Sequence, residues 1–164
     1  MENSLAHDIE LYPLESFKIL LDHELHRSRR YKEPLTLVHL AVEADPNNPQ
    51  AQHSAEVFAI NVLNLYLRET DIPCREGNEF LALMPATDES GGRIACDRLE
   101  KLFHVEPQTY DRVSFKLSAY IGMTSITGDV RTSGDKLLQQ ASTAMQRARA
   151  SHSQNAVAYS EISQ

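Results

Sequence analysis

Apolar and polar positions change their period several times along this 164-residue chain, and each change marks an element. Phe17, Leu20, Leu21 and Leu25 recur at helical spacing behind Ser16, a good N-cap residue, and a basic run then extends to Lys32 before Pro34. This predicts an opening helix over 16–32. Residues 35–42 are apolar at nearly every position, as in a short strand buried on both faces. Residues 44–50 carry Pro46 and Pro49 among turn formers and read as a loop. Val57, Phe58, Ile60, Leu63, Leu65 and Leu67 predict a second helix over 54–68, with a broad apolar face that should pack on a sheet.

Ile72 to Arg75 and Phe80 to Met84 flank the polar turn Glu76, Gly77, Asn78 and Glu79, the pattern of a β-hairpin. Thr87 should open a helix that runs to Phe103, with Asp88 and Glu89 well placed in its first turn and Gly91 and Gly92 weakening it. A long strand is expected over 113–126, where Phe115, Leu117, Ala119 and Ile121 alternate and Gly122 marks a bulge or a close backbone approach. A helix over 134–150 and a short strand over 157–159 complete the order. Such a sequence of elements makes an α+β, layered α/β fold: helices on a mostly antiparallel sheet of about five strands. One domain is expected over 16–160, between an N-terminal tail of residues 1–15 and a C-terminal tail of 161–164.

Composition narrows the function classes. The formal charge of −7 disfavours nucleic acid as a partner, since non-specific affinity for it comes from Lys and Arg neutralising phosphates. Arg27, Arg29, Arg30 and Lys32 form a local basic cluster where cations complement a helix C-terminus. No apolar run approaches the ~20 residues that span a bilayer, and the first residues lack the pattern of a secretory signal, so no membrane insertion and a cytoplasmic location are expected. Cys74 and Cys96 are too few for a disulfide scaffold and are expected as core thiols. The spacing of His23, Glu24 and His26 is not that of a zincin, and His39 in its apolar strand reads as a hydrogen-bonded core residue.

Several segments, in this order, resemble the GGDEF family of bacterial diguanylate cyclases. Residues 34–43 are similar to its first strand, which normally ends in Asp-x-Asp. Arg68-Glu69-Thr70-Asp71 resembles its Arg-x-x-Asp motif, and Arg75-Glu76-Gly77-Asn78-Glu79-Phe80 its signature hairpin. Residues 83–87 resemble the exit from that hairpin, Ser118 to Gly122 the late Ser-x-Gly strand, and residues 141–149 the last helix. The resemblance spans about residues 11–160 and implies a nucleotidyl cyclase-like fold.

The departures carry as much meaning. Joining two GTP molecules requires metal ions held by oxygen ligands. Ala41 stands where the resemblance places the first-strand metal aspartate, and Asn78 where it places the metal-binding acid of the signature. Glu43 and Glu79 fall on neighbouring acidic positions without replacing that pair. The hairpin is one residue short, Arg149 stands for a phosphate-binding lysine, Ser142 and Tyr120 replace two further habitual residues, and residues 45–53 form a compressed loop lacking the groups used around guanine and phosphate. Glu76 and Glu79 about Gly77, with Glu43 opposite, are the remaining candidate cation site, against which stands the reading of a solvated turn; no metal and no cofactor are expected.

Arg68 and Asp71 survive intact in residue type. The resemblance implies an inhibitory cyclic di-GMP site there: Arg can hold a phosphate or a guanine edge, and Asp can accept guanine N–H groups. Without a ligand they would be a helix-end cation and a turn-initiating acid. Arg93 and Arg98 are candidate extra phosphate contacts, or a solvated basic face. The expectation is a catalytically inactive GGDEF-like signalling domain, a pseudo-enzyme that binds cyclic di-GMP. The alternatives are an interaction module that contacts a protein partner or forms a homodimer, and, last, an active cyclase using Glu43 and Glu79.

Overall fold

A computed structural model describes residues 11–104, 108–110 and 113–162. Helix α1 (Leu14–Tyr31) is followed by β1 (Leu35–Glu43), α2 (Pro49–Tyr66), β2 (Ile72–Glu76), β3 (Glu79–Pro85) and α3 (Glu89–Phe103). Then come β4 (Gln108–Tyr110), β5 (Val113–Phe115), β6 (Ser118–Ile126), α4 (Gly134–Ala150), β7 (Val157–Ala158) and a 3₁₀ turn (Tyr159–Glu161). The main sheet has the order β2-β3-β1-β6-β7, antiparallel throughout except for the parallel β6/β7 pair. The expected α+β fold with a five-stranded, mostly antiparallel sheet is therefore observed.

Alternate residues of β1 explain why that strand is apolar on both faces. Val38, Leu40 and Val42 pack with Ala59, Ile60, Val62 and Leu63 of α2 and with Cys96, Leu99 and Phe103 of α3. Leu35 and Leu37 point the other way, to Phe17, Leu21 and Leu25 of α1 and Leu137 and Ala141 of α4. The sheet is thus sandwiched between two helical layers, and β1 is its centre. Both cysteines are fully buried, and burial pushes each thiol up to about 12.

Several boundaries differ from the sequence expectation. Helix α1 begins at Leu14 behind Pro13, not behind a Ser16 cap; the fixed φ of −68° at Pro13 launches it without a side-chain cap, and Tyr12 bonds to β2 through Pro73 O (3.0 Å) and Arg75 N (3.1 Å). Helix α2 begins at Pro49, within the expected loop. Asn48 caps it by accepting from Ala51 N, and Pro49 sits in the first turn, where its missing N–H costs nothing. Thr87 does not cap α3; Asp88 does, accepting from Gly91 N at 2.8 Å. The long strand is broken at residues 116–117: β5 pairs with β4 in a separate ribbon, and only β6 joins the main sheet. Tyr159 belongs to the 3₁₀ turn rather than to the last strand.

Gly122 marks a close approach, not a bulge, because β1/β6 register is continuous through His39↔Gly122. A Cβ there would stand 2.1 Å from Met145 N and 2.7 Å from Ala141 O, so its absence lets α4 lie directly on the sheet. That contact brings the C-terminal turn of α4, with Arg149, over the end of β1 and the hairpin.

Candidate functional site

Two groups of polar residues lie at separate places on the fold. The first is built where β1 ends beside the hairpin. Register sets Ala41 opposite both Glu79 and Tyr120, and Ala41 is wholly buried against Tyr120, Met145 and Ala148. The hairpin turns in two residues, with Gly77 at φ +65°, a conformation open to glycine at little cost. Asn78 is tied to β1 by its backbone and by its side-chain amide nitrogen. Its backbone O accepts from Val42 N at 3.1 Å and its Nδ2 donates to Val42 O at 3.0 Å, which ties the turn to the end of β1.

Arg149 lies over this corner. Its Nε is 2.9 Å from Glu43 Oε2, an ion pair without hydrogen-bond alignment, and its Nη2 is 3.8 Å from Glu79 Oε2. The other oxygen of Glu79 is 2.8 Å from His39 Nε2. Burial lowers the pKa of His39, and the hydrogen bond and charge of Glu79 oppose that shift. Glu43, Arg149, Glu79 and His39 therefore form one chain of polar contacts. Arg75 fastens the hairpin to α2 through Glu56 (2.7 Å) and back to Gly77 O (3.0 Å). Gln52, within the segment expected as loop, donates to Val42 O and Glu56 and accepts from Ala44 N. The sequence reading missed Gln52 and Glu56, whose only signal was their i, i+4 spacing on the helix that starts at Pro49.

The second group follows α2. Leu67 ends that helix in extended conformation, so Arg68 stands outside it in a turn closed by Asp71 N to Arg68 O (3.0 Å), not on the helix end. Asp71 has a side chain only 3% exposed, and it accepts from Arg68 N (2.9 Å), Nη2 (2.7 Å) and Nε (3.2 Å). These bonds raise the pKa of the guanidinium. Arg68 Nη2 also reaches Thr87 Oγ1 at 2.9 Å and Pro85 O at 3.3 Å, whereas Nη1 makes none of these bonds. Arg68 is thus half exposed but fixed in direction, with its Nη1 making no hydrogen bond to the described residues.

A cleft of ≈ 390 Å3 opens beside it, and Asp71, Asp88, Tyr66, Ile94 and Arg98 are among its lining residues. The structure so brings Arg68, Asp71 and Arg98 together. Arg93 is not there: it holds Ala156 O (2.9 Å) and Glu161 (2.9 Å). Glu76 is exposed at the hairpin and is not part of this cleft. Among the described residues no helix is long and apolar enough to cross a membrane.

The sequence model of the family "Diguanylate cyclase, GGDEF domain" matches residues 57–155. Comparison with curated protein sequences finds no match. Among solved structures, the GGDEF domain of TpbB (or YfiN) from Pseudomonas aeruginosa is similar with a TM-score of 0.81 and 20% identity, over 97% of this chain and 94% of that one. The GGDEF domain of DgcB from Caulobacter crescentus, solved with c-di-GMP, has a TM-score of 0.72 at 14% identity, over 91% and 89% of the two chains. Diguanylate cyclase SiaD from Pseudomonas aeruginosa, solved with its activator SiaC, has a TM-score of 0.76 at 21% identity, over 90% of this chain and 58% of that one.

Proposed function

The chain belongs to the GGDEF domain family, and from that premise we propose that it is a signalling domain that does not cyclise GTP and that receives cyclic di-GMP at the Arg68 cleft. One observation carries the first half. The guanidinium of Arg149 lies between Glu43 and Glu79, and Ala41 presents only a buried methyl. Divalent ions on a triphosphate need several anionic oxygens converging on open space. Here one position offers a methyl group, Asn78 is turned to Val42 O, and both remaining carboxylates face an internal cation. This donor set does not fit the metal ions of the cyclase reaction.

The receptor half rests on Arg68, which Asp71 holds with Nη1 unbonded among the described residues, and on Arg98, which lines the same cleft. A fixed guanidinium loses little freedom on meeting a phosphate, and charge-assisted bonds are the strong ones. Asp71 serves chiefly to position Arg68, since three donors from that residue already engage it. That internal satisfaction also favours a second reading, in which the pair is structural and the domain contacts a protein.

Incubation with GTP and Mg2+ or Mn2+, followed by chromatography, should yield no cyclic di-GMP. Turnover abolished by Glu79→Ala would refute the first half. Calorimetry should show cyclic di-GMP binding that weakens about tenfold or more in Arg68→Ala, the loss of one charge-assisted contact, and little in Asn78→Ala. Absence of binding by the wild type would leave the protein-contact reading.

A further inference from the structure

Helix α3 engages the rest of the domain on three sides and leaves the fourth to solvent. Gly92, Cys96, Leu99 and Phe103 are buried on the sheet. On one flank Arg93 donates to Ala156 O at 2.9 Å, Glu100 accepts from Ala156 N, and Glu89 accepts from Ser160 at 3.0 Å, so this side grips the C-terminal segment. On the opposite flank Gly91 and Ala95 line the cleft beside Arg68. At about 100° per residue, the remaining stripe holds Ile94, Asp97, Arg98, Lys101 and Leu102 and points away from the sheet. All five are exposed, and Ile94 (55%) and Leu102 (41%) are among the large apolar side chains left in water. Asp97, Arg98 and Lys101 make no ion pair or side-chain hydrogen bond among the described residues.

The order of residues along this stripe is complementary to itself. A two-fold axis across the helix at Arg98 reverses its direction and sets residues equidistant from Arg98 against each other. Ile94 then falls opposite Leu102 of the second copy, and Leu102 opposite its Ile94. Such an axis also keeps each flank of the helix facing the same flank of its copy. Asp97 and Lys101 share one flank, so the acid of each copy comes within about 3 Å, along the helix, of the other's lysine. A parallel pairing would set Asp97 against Asp97 and Lys101 against Lys101, and the charges therefore select the antiparallel one. Arg98 meets its own copy near the axis, a like-charge contact that weakens the pair.

We infer that the outer face of α3 is a docking surface for a second copy of this chain, packed antiparallel about a two-fold axis at Arg98. Ile94 and Leu102 supply the apolar area, and Asp97 and Lys101 fix the direction. A single helix pair buries less than the ~1,200–2,000 Å2 of stable interfaces, so the dimer forms only at high protein concentration. The contact involves no nucleotide and stands apart from the receptor reading above.

The test is sedimentation velocity of the whole chain without nucleotide, from low micromolar to near-millimolar concentration, with thermal melts confirming that each variant is folded. The wild type should pass from monomer to dimer. Ile94→Glu and Leu102→Glu should each weaken the dimer about tenfold or more, since each substitution enters a symmetric contact twice. Asp97→Lys and Lys101→Glu should each weaken it, and the two together should restore it, which a contact elsewhere on the surface would not do. Arg98→Ala should tighten it by removing the like charges at the axis. Mild oxidation checks the register. Arg98→Cys should link to itself, whereas Ile94→Cys, roughly 12 Å from its own copy along the helix, should link only to Leu102→Cys. A wild type that stays monomeric at every concentration overturns the inference, and so does a dimer that Ile94→Glu and the charge exchanges leave unchanged.

Discussion

Removing the Arg149 guanidinium should destabilise the domain by an amount that Glu43 and Glu79 control. Arg149 lies 2.9 Å from one carboxylate and 3.8 Å from the other, with side-chain exposures of 29% for Arg149, 40% for Glu43 and 35% for Glu79. Fully exposed pairs contribute ~0.2–1 kcal/mol, and breaking a buried pair costs ~3–5 kcal/mol. With more than a third of each carboxylate in water, solvent screening keeps the total near the lower range, about 1–2 kcal/mol. In a domain of this size that corresponds to a fall in Tm of roughly 2–8 °C. Thermal melts of Arg149→Ala should show it at low salt and show less of it at high salt, where exposed charges are screened. Arg149→Lys should recover part, since one ammonium cannot span both carboxylates as a guanidinium does. The decisive comparison is Arg149→Ala in a Glu43→Gln, Glu79→Gln background, where most of the loss should vanish. An equal loss in both backgrounds would show that Arg149 acts by packing alone and would remove the observation on which the inactive-site proposal stands.

Three other measurements bear on the same corner and on the core around it. The lowered pKa of His39 means that below 6.5 the unfolded chain binds a proton that the folded one resists, so stability should decline as pH falls through and below 6.5, and less so in His39→Gln, in chemical denaturation at stepped pH. Gly122→Ala should cost about 3 kcal/mol or more in urea denaturation, because the added methyl meets the α4 backbone at 2.1–2.7 Å and no side chain can yield; a loss under ~1 kcal/mol would mean that α4 rides higher on the sheet. Cys74 and Cys96, buried and pushed up to about 12, should resist a thiol reagent at pH 8 in the folded protein and both react after unfolding.

What the sequence determined by itself was periodic or local. Helical spacing located the cores of α1 and α2, acidic first-turn residues marked the start of α3, continuous apolarity identified β1 as a strand buried on both faces, and a Gly in a short polar turn marked the hairpin. These signals survive because burial acts on each element separately. The motif order also placed the family correctly, since residue types at fixed spacings need no coordinates. Element ends were less legible: Pro13 and Asp88 launch their helices where Ser16 and Thr87 looked suitable, and Asn48 launches α2 five residues before its expected start at 54, because a cap is chosen by where the chain leaves its neighbour, not by residue type alone.

Tertiary structure alone decided the partners. Nothing in the spacing of Glu43, Glu79 and Arg149 states that they meet; that follows from Gly122 letting α4 settle onto β6, which carries a residue from the far end of the chain over β1. Arg68 and Asp71 were legible as a pair, but the direction in which the guanidinium is held depended on Thr87 and Pro85, brought to it by the exit of β3. Charge and hydrogen-bond contacts are set by distances of a few ångströms between segments far apart in the chain, and only the packed sheet and its helices fix those.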